Sequence, residues 1–184
     1  MPKIMSAKEA VKMIKDGSVI HVSGFLSVGT PLDLIDALLE QGAKDLTIAC
    51  NDGGFERGVG QLLRSGQVKK FICTWCGSSP EIPDLVAAGK LEHELNPQGT
   101  FIERVRAAGY GLGGVLTPTG LNTMIEEEGY GQRVNFNGKD WLYHTPLKAD
   151  FTLTQAYRRI KRAISFTTVR QEILHRQCAW QQIR

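Results

Sequence analysis

The run Asp16-Gly17-Ser18-Val19-Ile20-His21-Val22-Ser23-Gly24-Phe25-Leu26-Ser27-Val28-Gly29-Thr30-Pro31 holds a stop, a strand and a loop in direct succession. Asp16-Gly17 ends whatever precedes it. Residues 19–22 are β-prone and apolar except for His21, and residues 23–31 carry two glycines and a proline. A helix follows at once. Thr30 is a candidate N-cap and Pro31 suits the first helical position. Leu34, Ile35, Leu38 and Leu39 repeat at helical spacing, and Gly42 can take the left-handed stop. A strand that feeds a glycine-bearing loop and then an amphipathic helix is half of a βαβ unit, the connection that parallel strands require.

The same rhythm extends both ways. Upstream, Ser6 and Glu9 are spaced as a capping box for a helix over residues 6–15, with Val11 and Ile14 on its apolar face. Downstream, residues 46–50, 68–74 and 91–95 read as strands. Residues 59–64, 101–107 and 85–88, the last within a segment opening near Pro80, read as helices. This alternation predicts an α/β fold, an open, mainly parallel sheet with helices on both faces. The glycine-rich stretch 109–120 breaks the rhythm, and Asn137-Gly138 between residues 134–136 and 141–144 predicts a hairpin.

Composition narrows the class. With 184 residues, 42% hydrophobic and 22% charged, the chain can bury a sizeable core without disulfides or metals. No apolar run approaches the roughly 20 residues of a membrane span, and no secretory leader pattern is present, so a cytoplasmic location is expected. The formal charge of +3 is unevenly spread. Residues 158–184 hold seven basic groups against Glu172, a net of +6, which leaves −3 on residues 1–157. A basic terminal stretch alone does not make a nucleic-acid or membrane surface, and neither partner is expected. Cys73-Thr-Trp-Cys76 has no second ligand pair for zinc, and Gly77-Ser78-Ser79-Pro80 keeps it from opening a helix as a redox pair would. These are expected to be reduced structural thiols at a strand end. Gly109-Tyr110-Gly111-Leu112-Gly113-Gly114 matches a dinucleotide fingerprint in letters only, because it follows a helical segment where that motif follows a strand. The Glu126-Glu127-Glu128 run reads as a solvated face, and His21, with no acidic neighbour in sequence, as a packed histidine.

Residues 16–31 resemble the first signature of the family I CoA-transferases: Asp-Gly, two residues, three apolar positions, Gly-Gly-Phe, three residues, Gly, one residue, Pro. Ser23 stands where the first of the paired glycines is usual, and His21 occupies an apolar place. Asn51-Asp52, Gly77-Ser78-Ser79-Pro80-Glu81, Pro97-Gln98-Gly99-Thr100 and the 109–120 loop are similar to α subunits of the acetate/acetoacetate type. The resemblance spans residues 3 to about 157.

What the resemblance implies is CoA transfer between a short-chain acyl-CoA and a carboxylate, such as acetoacetyl-CoA and acetate. A glutamate nucleophile passes through a mixed anhydride and an enzyme thioester, with water kept from the activated acyl group. In the family that glutamate lies in a Ser-Glu-Asn-Gly motif of the β subunit or C-terminal half, and this sequence has no such motif. The expectation is therefore an α subunit with no catalytic residue of its own, needing a β subunit for activity. CoA enters as substrate, and no metal or redox cofactor is implied. Ser23, Gly24, Phe25, Gly29, Asn51, Gly111, Gly113 and Gly114 are the residues expected to line the acyl-CoA site. The amides of residues 23–25 and 111–114 are expected to approach the acyl group or its oxyanion. The alternative is a non-catalytic CoA-binding or degenerate relative.

After Tyr157 the resemblance ends. Residues 158–184 contain no Gly, Pro or Asp, and form an atypical basic tail appended to a domain of residues 1–157. The abrupt change suggests a frameshift in the gene or its record, which would cost the fold its last family strands and expose a sheet edge.

Overall fold

The computed structural model describes residues 5–54 and 56–156, and the backbone of 158–159 and 165–166. The first half of the chain runs α1 (Ala7–Val11), β1 (Val19–Val22), α2 (Leu32–Gln41), β2 (Leu46–Ala49), α3 (Val59–Arg64), β3 (Val68–Cys73), α4 (Ile82–Ala87), β4 (Glu92–Leu95) and α5 (Gln98–Tyr110). It continues with β5 (Val115–Thr117), α6 (Met124–Glu127), β6 (Gln132–Phe136), β7 (Lys139–His144) and β8 (Phe151–Leu153), then β9 (Arg158–Arg159) and β10 (Ser165–Phe166). Five strands form one sheet in the order β4-β3-β2-β1-β8, every pair parallel. β5, β7 and β6 form a small antiparallel sheet, and β9 pairs with β10.

The alternation of side chains along each strand divides the core in two. Ile20, Val22, Leu46, Ile48, Phe71 and Cys73 face α1 to α4 and pack with Ile35, Leu38, Leu62, Leu63 and Ile82. Ala49 and Ile72 point the other way, onto Phe101, Ile102 and Val105 of α5 and onto Leu147. Helices thus cover both faces, as the apolar strands require.

Local chemistry sets the element ends. The Ser6–Glu9 capping box forms, but α1 stops at Val11 instead of reaching residue 15. The chain turns there, Ile14 N–H donating to Val11 O (2.9 Å) and Lys15 N–H to Ser18 Oγ (3.1 Å), and both Val11 and Ile14 are still buried. Gly42 ends α2 in the left-handed conformation as expected, whereas Thr30 does not cap it. Pro31 takes the N-cap position, because the Thr30 side chain is buried against Gly24. The stripe holds, with Ile35 and Leu38 fully buried and Leu34 and Leu39 packed beside them. Strands β5, β8, β9 and β10 and helix α6 have no counterpart in the pattern read from the sequence. No described helix is long and apolar enough to cross a membrane. The expectations for the tail fall outside the described residues, apart from the short β9 and β10 segments.

The hairpin turns through Asn137 (φ 54°) and Gly138 (φ 73°), the two left-handed positions of a type I′ turn. A Cβ on Gly138 would meet nothing within 4 Å. Gly138→Ala should therefore cost only the backbone penalty of a left-handed alanine, about 1–2 kcal/mol, measurable as a lower denaturation midpoint at constant slope.

Candidate functional site

All five strands of the main sheet point the same way, so the segments following β1, β2, β3 and β4 gather at one edge. Ser23 begins the first of them. Its N–H continues the ladder to Leu153 O (3.0 Å), and its hydroxyl donates across the loop to Gly29 O (2.6 Å). This bond explains a serine in the place of a glycine: the position carries no positive φ, and its side chain latches the loop shut. Gly24 is different, since its φ is 118° and a Cβ there would lie 2.1 Å from Thr30 Oγ1.

At the tip the chain folds back on itself, Phe25 N–H donating to Val28 O and Val28 N–H to Phe25 O, both at 3.0 Å. Between them Leu26 (φ 49°) and Ser27 (φ 65°) occupy the left-handed region without being glycine. That costs on the order of 1–3 kcal/mol per residue, so the surroundings must hold the turn. Asp52 Oδ2 accepts the Leu26 N–H (3.0 Å), and Ser27 Oγ donates to Arg57 O (2.8 Å). Asn51 Nδ2 donates to Gly24 O (2.8 Å), while Asn51 O accepts from the N–H groups of Thr74 and Trp75 (3.0 Å each). Gln98, at the start of α5, donates to Asn51 Oδ1 at 3.5 Å. Three loops and one helix start are thereby tied at a single asparagine.

What reaches the surface is apolar. Phe25 is 47% exposed and Trp75 42%, their ring centroids 6.1 Å apart, with Val28 beside Phe25 on the turn. Gly77 makes room for the indole, as a Cβ there would sit 2.5 Å from Trp75 Cζ2. The edge thus presents an aromatic pair above a buried polar floor of Ser23, Asn51, Asp52 and Ser78, whose side chains tie the loops to one another.

The structure places the expected site residues in two groups. The Ser23 and Phe25 amides are spent on Leu153 O and Val28 O, and Gly24 is buried, so the loop offers its tip outward and not its successive N–H groups. Gly111, Gly113 and Gly114 lie elsewhere. α5 starts beside Asn51, and its 13 residues carry the chain about 18 Å away before Gly111 caps it (φ 69°). Gly113 O accepts the Tyr143 hydroxyl (2.5 Å), and Gly114 lets Tyr143 pack closely, a Cβ there falling 2.3 Å from the ring. Gly113 and Gly114 thus seat Tyr143 of β7 against the start of β5. A groove of about 510 Å³ runs along α5 from Pro97 to Gly114, past Thr100, Glu103, Arg106 and Leu116. Ser23, Gly24, Phe25, Gly29 and Asn51 do come together. Asp52, Trp75 and Gln98 join them without having been singled out for the site; their positions just after β2, β3 and β4 were the available signal.

The thiols stay apart from this chemistry. Cys50, Cys73 and Cys76 form no disulfide. Burial raises the Cys50 thiol well above its ordinary range and pushes Cys73 up to about 12, which keeps both protonated. Cys73 Sγ lies 3.2 Å from His93 Nε2. His21 is buried in β1, as a packed histidine should be.

Comparison with known proteins identifies relatives of the chain. A family model described as coenzyme A transferase matches residues 4–179. The chain is 43% identical over 157 residues to acetate CoA-transferase subunit alpha of Escherichia coli K12, covering 85% of this chain and 70% of that protein. It is 44% identical over 152 residues to the acetoacetyl-CoA:acetate/butyrate CoA transferase alpha subunit of Clostridium acetobutylicum, covering 82% and 69%. Among solved structures, an acyl-CoA transferase from E. coli O157:H7, in a thioester complex with CoA, superposes with TM-score 0.74 at 27% identity. That match covers 83% of this chain and 34% of the other, so this chain spans about a third of that enzyme.

Proposed function

The chain belongs to the coenzyme A transferase family, and from that premise we propose that it is the α subunit of a cytoplasmic enzyme moving CoA between a short-chain acyl-CoA and a carboxylate. Its likeness to bacterial α subunits named for acetate and acetoacetyl-CoA carries this reading. A β subunit supplies the glutamate. Its carboxylate attacks the thioester carbonyl and releases CoA as thiolate, leaving a mixed anhydride. The thiolate then attacks the glutamyl carbonyl, giving an enzyme thioester and freeing the first acid. The acceptor carboxylate runs the steps in reverse, so no water is consumed.

In this division of labour the α chain builds one wall of the site. Phe25 and Trp75 give an apolar surface for the acyl group, and their bulk helps exclude the water that would hydrolyse an anhydride. Asn51 fixes the Gly24 loop against the β3 loop and α5.

The test is transfer from acetoacetyl-CoA to acetate by this chain co-purified with the β subunit encoded beside it, against each chain alone. Activity confined to the pair is the expected result. A stable pair that binds CoA without turnover would replace this reading with that of a non-catalytic relative, and failure to form a pair would remove it.

A further inference from the structure

Asp52 is a buried carboxylate with an unusual set of partners. Its Oδ2 accepts the Leu26 N–H at 3.0 Å. Its Oδ1 accepts the Gly54 N–H at 2.7 Å and lies 3.4 Å from Ser78 Oγ. The residue is 6% exposed, and no lysine or arginine among the described residues forms an ion pair with it. A buried carboxylate held by N–H and O–H dipoles alone is costly to place and is kept where both oxygens have partners to satisfy.

Those partners belong to three different loops. Leu26 is in the turn after β1, Gly54 in Asp52's own segment after β2, and Ser78 in the segment after β3. The Leu26 N–H matters most. In a turn closed by Phe25 and Val28, the two mutual bonds leave the N–H of Leu26 unpaired, and Leu26 itself sits at φ 49°. Without that acceptor nothing would offset the cost of holding Leu26 in the left-handed region. Phe25 would then swing away from Trp75.

We propose that Asp52 is a positioning residue for CoA transfer: its two oxygens clamp the strained Phe25–Val28 turn to the loops after β2 and β3, and so hold Phe25 against Trp75 as the wall facing the acyl group. This assignment rests on the α-subunit reading for its kinetic consequence, though not for its geometry. The chemistry also says why asparagine would not serve. An amide keeps one acceptor oxygen, and its NH2 would face the N–H of either Leu26 or Gly54, setting donor against donor.

The experiment compares wild type, Asp52→Asn and Asp52→Asn/Leu26→Gly in the α/β pair, reading hydrogen–deuterium exchange and transfer kinetics together. In Asp52→Asn, peptides spanning residues 24–31 and 51–54 should exchange at least tenfold faster while those of β2 are unchanged. The kcat for acetoacetyl-CoA and acetate should fall at least tenfold, with the acyl-CoA KM moving less than threefold. Leu26→Gly removes the left-handed penalty, so the double variant should recover part of the lost kcat. It also gives a foldable sample if the single variant is too unstable. Unchanged exchange in either peptide overturns the clamp. Faster exchange with kcat within threefold of wild type overturns the positioning role. An inactive wild-type pair overturns the transferase reading and the kinetic consequence with it, while the exchange result still decides the geometry.

Discussion

Arg104→Met should lower the unfolding free energy at pH 7 by about 3–5 kcal/mol, the usual consequence of removing one partner of a buried ion pair. Arg104 lies on α5 with its side chain 7% exposed, and Glu94 on β4 faces it at 9%. The guanidinium donates to Glu94 Oε1 (2.6 Å), Asn96 Oδ1 (2.5 Å) and Thr145 O (2.9 Å). It therefore fastens α5 both to the edge strand of the main sheet and to the segment leaving β7. Lys70 closes the other side of the carboxylate, its Nζ 2.8 Å from Glu94 Oε2. Methionine preserves much of the buried stem but removes the donor to Glu94 Oε1, Asn96 Oδ1 and Thr145 O, leaving the carboxylate with Lys70 and the Asn96 amide alone.

The pH dependence gives this prediction a sign. Burial alone would raise the Glu94 carboxyl, but hydrogen bonds from Arg104, Lys70 and Asn96, with the Arg104 charge, bring it down to about 2 from an ordinary 4.5. A depressed carboxylate stabilises the fold fully above its unfolded value and ceases to do so as pH falls through its folded value. The contribution is thus complete at pH 7, declines below about 4.5 and is gone near 2. In the variant, burial is less opposed and the carboxyl rises, so protonation on acidification relieves the variant where it weakens the wild type. The stability gap between the two should be widest at neutral pH and narrow steadily below pH 4.5 in urea titrations. A gap of under 1 kcal/mol at pH 7, or one that widens in acid, would contradict the ion-pair account.

That network also marks where the sequence stopped being legible. Periodicity and punctuation act over a few residues, and they located β1, α2, α3 and the hairpin because the decisive residues lie side by side: Asp16-Gly17, the leucine stripe with Gly42, Asn137-Gly138. α3 falls on residues 59–64 as read. β8 escaped because three residues have almost no pattern of their own. What makes Phe151–Leu153 a strand is the edge of β1, with Asp150 accepting the Val19 N–H across 131 positions. Arg104 reads as one more polar residue of a helix until the fold sets it over β4. The site divides on the same principle. The resemblance of residues 16–31 brought out Ser23, Gly24, Phe25 and Gly29, which are contiguous. Asp52, Trp75 and Gln98 reach them only through the parallel order of the strands. Glycine permits close contact of any kind, so the spacing of Gly111, Gly113 and Gly114 does not by itself say what approaches; at Gly114 the ring of Tyr143 does.

Gly24→Ala should reduce transfer by the α/β pair about a hundredfold, the order of effect expected when reacting groups are displaced by roughly 1 Å. The added Cβ would lie 2.1 Å from Thr30 Oγ1, 2.8 Å from Thr30 N and 3.1 Å from Thr30 Cα, at a φ of 118°. The hydroxyl alone could rotate away, but the backbone contacts cannot be relieved so cheaply. Thr30 O accepts the Leu32 N–H (2.9 Å) as α2 begins, and the Thr30 side chain is buried. The loop must yield instead, and its nearest movable part is the turn carrying Phe25. Gly138→Ala separates the two penalties, since it shares the positive φ but has open space around its Cβ. If sterics at the site govern the loss, Gly138→Ala pays only in stability and keeps wild-type kcat/KM, while Gly24→Ala loses activity beyond what its melting temperature explains. Retention of activity within threefold by a folded Gly24→Ala pair would show that the loop after β1 lies outside the transfer site.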